Sequence, residues 1–293
     1  MTTAFRRKHA DRVVTSMGDR RSTILEVIRH AKHRISLSMF RCDDEEILAG
    51  LADAVSRGVA VDVLVTPRAK GGPVRIDELK TALERTGARV HVYPNPIVKY
   101  HAKYLVADDG PAIVASLNFT RKCFARTCDA LVVTHDTSVV AGLQQLMAAD
   151  RLGQPLPEGV SSRLIVGPER ARAQFHALID GARSSVRLID PKLSDSELLR
   201  LLDARQLKGV TVEVHDAARL GRLKSHGKIL LIDDRVALVG SVALAAASLD
   251  FRRELAIVVD QPAAVAAVRH LFTWAAAPAS LGPTVAAHAA GWA

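Results

Sequence analysis

Aromatic residues are scarce in this chain, at 4% of 293 residues, so any core must be built mainly from Ala, Val, Leu and Ile. No apolar run approaches the roughly 20 residues needed to cross a bilayer, and a membrane-spanning helix is not expected. The N-terminus, MTTAFRRKHADRVV, lacks the apolar stretch that follows the basic residues of a secretion signal, which makes the cytoplasm the expected location. Only three cysteines occur, Cys42, Cys123 and Cys128, an odd number with neither a disulfide framework nor a zinc-site spacing. They read as reduced thiols.

What is present is a hydrophobic fraction of 48% against 24% charged residues, enough for a sizeable core and too apolar for disorder. The formal charge is +9 and unevenly spread. Residues 1–34 hold nine basic side chains (Arg6, Arg7, Lys8, Arg12, Arg20, Arg21, Arg29, Lys32 and Arg34) against three acids, Asp11, Asp19 and Glu26. Such a segment suits an anionic partner, either nucleic acid or an anionic lipid surface, and in the plainer alternative is a solvated face.

The two halves of the chain repeat one another. At a shift of 151, ILEVIRHAKHRI (24–35) aligns with FHALIDGARSSV (175–186), pairing Ile28 with Ile179, Ala31 with Ala182 and Ile35 with Val186. Both read as an amphipathic helix running into a strand. CDDEEILAGLADAVSRGVAVDVLV (42–65) then matches LSDSELLRLLDARQLKGVTVEVH (193–215), each with an acidic helix start, a leucine-rich helix, a basic-Gly-Val turn and a β-branched strand. Further on the shift becomes 125, because DELKTALERTGARVHVYPN (77–95), an extra helix and strand, has no counterpart in the second half. Each half therefore reads as helix, strand, helix, strand, then strand, strand and a final helix. That alternation predicts an α/β fold of two pseudo-symmetric halves, each a mixed sheet flanked by helices. The expected division is 1–153 and 154–293, with the Pro-, Gly- and Ser-rich RLGQPLPEGVSS (151–162) as the hinge.

The repeated chemistry lies at the second shift. His101-x-Lys103 is followed after four residues by Asp108 and then by Ala115-Ser116-Leu117-Asn118. His226-x-Lys228 is followed by Asp233 and then by Gly240-Ser241-Val242-Ala243. At the start of a strand, residues i and i+2 point to one face, so each motif presents an imidazole beside an ammonium. If the halves meet at these strands, two histidines and two lysines converge. Against an anionic substrate Lys103 and Lys228 can then neutralise charge as a metal would elsewhere, and Ser116, Asn118 and Ser241 can add uncharged hydrogen bonds to its oxygens. No metal or other cofactor is expected. Asp108 and Asp233 end their strands before likely turns and read as structural.

These residues match H-x-K-x4-D-x6-G-S-x-N, and the chain resembles the phospholipase D superfamily over roughly residues 22–275. The resemblance implies that His101 is the nucleophile and His226 the general acid, with an acidic residue holding each imidazole. Asp129 and Glu254, separated by the same 125, are the candidates. The chain departs from the pattern where Ala115 stands for Gly and Ala243 for Asn, the second removing one hydrogen-bond donor. The implied activity is metal-independent cleavage or transfer of a phospholipid headgroup through a phosphohistidine, with peripheral contact to anionic membrane through the basic N-terminal segment. A nuclease is the alternative, to which Arg121, Lys122, Arg126, Arg252 and Arg253 would offer a phosphate-tracking groove. A non-catalytic binder that keeps the fold is a third reading.

Overall fold

The computed structural model describes residues 11–67 and 73–276, so Arg6, Arg7 and Lys8 of the basic segment lie outside the described residues. The chain begins with β1 (Arg12–Val14), α1 (Met17–His30), β2 (Arg34–Met39), α2 (Glu45–Ser56), β3 (Ala60–Val65), α3 (Pro73–Glu84) and β4 (Arg89–Val92). It continues through β5 (Lys99–Tyr100), β6 (Tyr104–Ala107), β7 (Ala112–Ala115), α4 (Arg121–Ala125), β8 (Thr127–Cys128), β9 (Leu131–Thr134) and α5 (Thr137–Leu152). The second half opens with β10 (Leu164–Val166), α6 (Ala171–Asp180), β11 (Ser185–Ile189), α7 (Ser196–Leu207) and β12 (Thr211–His215). Then come β13 (Arg219–Leu220), β14 (Leu223–Ser225), β15 (Lys228–Ile232), β16 (Val236–Gly240), α8 (Ala246–Phe251), β17 (Arg252–Arg253), β18 (Leu255–Val259) and α9 (Pro262–Ala276).

Two mixed sheets carry the fold. The first is ordered β1-β9-β7-β6-β2-β3-β4 and the second β10-β18-β16-β15-β11-β12, so the second repeats the first without its last strand. The missing member is β4, part of the insertion that changes the shift from 151 to 125. Within each sheet β2 and β3, like β11 and β12, run parallel around a helical crossover, while β6 and β15, into which the His-x-Lys motifs run, lie antiparallel to β2 and β11. Among the elements that escape the sequence pattern are the edge strands β1 and β10, three residues each, and the helices α4 and α8, too short for any period to register.

The apolar residues divide into three cores. One packs α1 and α2 on the outer face of the first sheet, through Ile24, Ile28, Ile47 and Leu51. Another packs α6 and α7 on the second, through Phe175, Ile179, Leu198 and Leu202. The third joins the halves, with Val132, Leu143 and Leu146 in one cluster with Val239, Leu255, Val268 and Phe272. Both faces of each sheet are thus covered, which is why the central strands read as unbroken apolar runs.

The polar repeats are equally regular. Asp44 caps α2 by accepting from the Ile47 N–H at 3.3 Å, and Asp195 caps α7 by accepting from Leu198 at 3.1 Å. Arg21 holds Asp44 at 2.7 Å, and Arg172, its counterpart at 151, holds Asp195 at 2.8 Å. Asp108, at φ 50°, accepts from the backbone of Lys32, His33 and Arg34; Asp233, at φ 53°, accepts from Arg183, Ser184 and Ser185. Each aspartate therefore ties its motif strand to the turn before β2 or β11, and neither faces the other half.

Ala115 is fully buried in β7, whereas Gly240 at the equivalent place has no room for a side chain: an added Cβ would lie 2.2 Å from the Leu255 carbonyl oxygen. Gly240→Ala should lower stability by about 1–3 kcal/mol, measured as a fall in denaturant midpoint at unchanged slope.

Candidate active site

The site is assembled by two short ladders that cross between the halves. β5, which leads into His101, pairs in parallel with β17, which leads into Glu254: Arg252 lies opposite Lys99 and Arg253 opposite Tyr100. β14, which leads into His226, pairs in the same way with β8, which leads into Asp129, so that Lys224 faces Thr127 and Ser225 faces Cys128. Each crossing continues one residue further, as the His101 N–H donates to the Arg253 carbonyl and the Gly227 N–H to the Cys128 carbonyl, both at 2.8 Å. Every imidazole therefore meets the carboxylate of the opposite half. His101 Nδ1 is 2.7 Å from Glu254 Oε1, and His226 Nδ1 is 2.9 Å from Asp129 Oδ1. With Nδ1 so engaged, Nε2 of each ring is left for chemistry.

The lysines follow the same rule. Lys103 Nζ donates to the His101 carbonyl at 2.8 Å and stands 3.2 Å from Nε2, while Lys228 Nζ donates to the carbonyl of His226. Both ammonium groups lie in buried residues. Burial brings Lys103 down to about 7; Glu254 opposes the fall and Lys228 adds to it. Burial also depresses His101 well below the ordinary imidazole range, with the charges of Lys103, Lys228, Lys192 and Arg252 acting in the same sense.

The two carboxylates differ. Burial tends to raise Asp129, but His226, Arg20 and Thr127 outweigh it and hold the group at about 2. Burial raises Glu254, with Ser248, Lys103 and Arg252 only partly offsetting it. The site around His101 favours a neutral ring.

The remaining candidates fall into separate places. Ser116 is buried and its hydroxyl donates to Asp129 Oδ1 at 2.7 Å, so it orients the carboxylate instead of facing the opening. Ser241 is also buried and turned to the Leu255 backbone, accepting its N–H at 3.1 Å. Neither hydroxyl is directed at a substrate oxygen, because each is taken up within its own sheet. Asn118 does line the opening beside His226, with its Oδ1 unpartnered. Opposite it in the repeat, Ala243 has its N–H bound by Ser248 Oγ at 2.8 Å, and the same hydroxyl donates to Glu254. Glutamate reaches one methylene further than aspartate, so Ser248 performs for Glu254 what Ser116 performs for Asp129. Nothing in the sequence marked Ser248, since its repeat partner is Cys123. The Cys123 thiol lies with Asp129 and His226 in a group whose ligating atoms are within 4.8 Å of one another, but burial raises its pKa and keeps the sulfur protonated.

Other participants were visible in the repeats without being singled out. Lys99 and Lys224 extend both motifs to K-x-H-x-K, and Arg41 and Lys192 match at 151. Two arginines of interest are structural. Arg20 is buried, with its guanidinium donating to the carbonyls of Thr15, Cys123, Thr127 and Asp129, and thus holds the α4–β8 segment instead of facing an anionic partner. Arg253, offered above to a phosphate-tracking groove, is buried against Asp150 and Glu169 at 3.0 and 2.6 Å. The opening beside His226 is a groove of about 470 Å³, polar at Arg41, Asn118, Lys122 and Lys224 and apolar at Leu48, Ile76 and Leu79. The last two come from α3, so the unrepeated insertion walls one side of the site.

The profile of the family described as "Cardiolipin synthase, PLD-like domain" matches residues 24–151. Cardiolipin synthase A from two strains of Pseudomonas aeruginosa, LESB58 and UCBPP-PA14, is 30% identical over 127 residues, 43% of this chain. The matched stretch spans only 26% of those relatives. Among solved structures, phosphatidylserine synthase from Haemophilus influenzae Rd KW20 superposes with a TM-score of 0.72 at 14% identity, covering 90% of this chain and 85% of that one. Polyphosphate kinase from Porphyromonas gingivalis gives 0.71 at 19% identity, covering 90% and 50%. Among the described residues no helix is long and apolar enough to cross a membrane. With two H-x-K motifs at corresponding places, the chain is similar to the PLD-like domain of cardiolipin synthases over residues 24–151 and shares the fold of the two solved structures over 90% of its length.

Proposed function

We propose that this protein is a metal-independent phosphodiesterase or phosphatidyltransferase that acts on phospholipid headgroups through a phosphohistidine. The observation that carries the reading is the crossed pairing of each imidazole with the carboxylate of the other half, His101 with Glu254 and His226 with Asp129. Neutral His101 attacks phosphorus through Nε2, the bond to the leaving oxygen breaks, and His226 gives that oxygen its proton. Water or an acceptor alcohol then loses a proton to His226 and attacks phosphorus, breaking the P–N bond. Lys103 and Lys228 stabilise the charge on the non-bridging oxygens throughout, with Asn118 adding a neutral contact. The active site sits between residues 1–153 and 154–293, and neither half holds a complete set. A phospholipid is favoured over nucleic acid because the family matched is that of cardiolipin synthase and because Arg253 is not available to a polyanion.

With a substrate bearing a p-nitrophenyl leaving group, which needs no acid, the His226→Asn protein should form the phospho-enzyme and fail to release it. His101→Asn should form none. Intact-mass measurement checks both, and an adduct in the His101 variant alone reverses the roles. Turnover by the wild type falls at least about 100-fold on loss of either imidazole.

Liposomes and labelled single- and double-stranded nucleic acids, each incubated with excess EDTA, separate the substrate classes. Phospholipid turnover that persists in EDTA is the expected result. Strict dependence on a divalent ion overturns the mechanism.

The pH profile carries a third expectation. Lys103 loses its proton near 7 in the free protein, so kcat/KM should decline as pH rises through about 7. A bound phosphodiester anion raises that pKa, which moves the corresponding limb of kcat to higher pH. On the acid side, His101 stays neutral below the ordinary imidazole range and keeps the nucleophile available. Lys103→Arg, permanently charged, should remove the limb near 7 even if it lowers the rate.

A further inference from the structure

Two large apolar side chains stand in solvent beside the catalytic strands. Ile97 is 83% exposed and Phe251 is 63% exposed. They come from different halves and are brought together by a site-building ladder: with Arg252 opposite Lys99 in parallel register, Phe251 falls level with Val98, next to Ile97. Ile97 occupies a turn between Pro96 and Val98, where Asn95 Oδ1 accepts the N–H groups of Ile97 and Val98 at 2.9 and 2.8 Å. Pro94 and Pro96 bracket this Asx turn, so the tip is ordered in advance and presenting it costs little entropy. Phe251 is the last residue of α8, whose first residues, Ala246 and Ala247, are also exposed.

Behind this apolar tip lies an excess of positive charge. Lys99 and Arg252 directly follow Val98 and Phe251 in the two strands. Lys99 Nζ is 5.4 Å from the centre of the Phe40 ring, and that ring packs against His101 with centres 4.5 Å apart. Lys192 approaches from the second half, close enough to Lys228 and Arg252 for their charges to act on its amine. The neighbouring acids offset this charge only in part: Asp250 is held by Arg172 at 2.6 Å, and Glu254, buried against His101, is a single carboxylate 3.9 Å from Arg252 against the three cations Lys99, Lys192 and Arg252. From the outside inward the order is apolar tip, cations, reactive imidazole. Four residue steps separate Ile97 from His101, at most about 13 Å along the chain. A tip sunk roughly 5–10 Å into the acyl–headgroup boundary therefore leaves His101 at the level of the headgroups.

We propose that Ile97 and Phe251, backed by Lys99, Lys192 and Arg252, form the surface on which this protein docks to an anionic phospholipid bilayer, bringing headgroups to His101. The proposal rests on the phospholipid reading of the site and adds to it the face that meets the membrane. The apolar pair inserts while the cations draw the protein to an anionic leaflet, and two weak signals together suffice for reversible attachment.

The test uses the full chain and two vesicle types, phosphatidylcholine alone and phosphatidylcholine with phosphatidylglycerol. The wild type should sediment with the anionic vesicles, less so at high salt, and scarcely with the neutral ones. The Ile97→Asn/Phe251→Asn double variant should bind anionic vesicles at least roughly tenfold more weakly and turn over their lipid correspondingly more slowly. Its hydrolysis of the soluble ester bis(p-nitrophenyl) phosphate should be unchanged, which also shows that it is folded. Unaltered vesicle binding by the double variant overturns the proposal. So does a wild-type dimer that the double substitution converts to monomer without changing vesicle binding, since the patch would then join two copies of the chain. Vesicle binding that depends on Ile97 and Phe251 without turnover of any lipid supports the docking surface and overturns the phospholipid reading instead.

Discussion

Two parallel ladders of two residues each, β5 with β17 and β8 with β14, set the geometry on which everything else in this molecule depends. In them, backbone from one half hydrogen-bonds backbone of the other next to each motif. Because each ladder leads directly into a histidine on one strand and a carboxylate on the other, pairing the backbones pairs the side chains. Backbone ladders are more rigid than side-chain contacts, so the two imidazoles are positioned before any substrate arrives. The shared core between the sheets supplies the force that keeps the halves together, and the ladders decide their register.

That crossing also places two unlike carboxylates in a nearly symmetric scaffold. Asp129 is short, held by Ser116 and Thr127, and stays ionised beside His226. Glu254 is longer, bonded by Ser248, and its pKa is raised by burial. The opposite half contributes unequal cations too, since Lys192 and Arg252 add to the positive field at His101. One methylene and a few surrounding charges thus set the two carboxylates apart. Ala243 in place of Asn belongs to the same asymmetry: its N–H is taken by Ser248, the hydroxyl that serves Glu254.

Much of this was legible in the residues. Duplication at 151 foretold an acidic start to each matched helix, seen as the caps Asp44 and Asp195, and the change to 125 foretold an extra helix and strand in the first half, the strand seen as β4. The turn role of Asp108 and Asp233 followed from their place at strand ends. The directions of Ser116 and Ser241 did not follow, because a buried hydroxyl chooses among acceptors only once the neighbouring strand is in place. Ser248 left no trace, as its repeat partner is a cysteine. Arg253 looked like part of a basic surface and proved to be a buried ion-pair partner, a distinction that charge counting cannot make.

The sequence by itself determined that there are two copies of one α/β unit, that each carries an imidazole and an ammonium two residues apart, and that an acidic residue follows each at a fixed distance. These are local or periodic properties, set by side-chain alternation and turn chemistry within a few tens of residues. Only the tertiary structure decided which acid serves which histidine, which hydroxyls face inward, and that Ile97 and Phe251 emerge together beside His101. The first and last of those join residues about 100 or more positions apart and exist only when two sheets bury their facing sides against one another; the hydroxyls bond within their own half, once the neighbouring strand is in place.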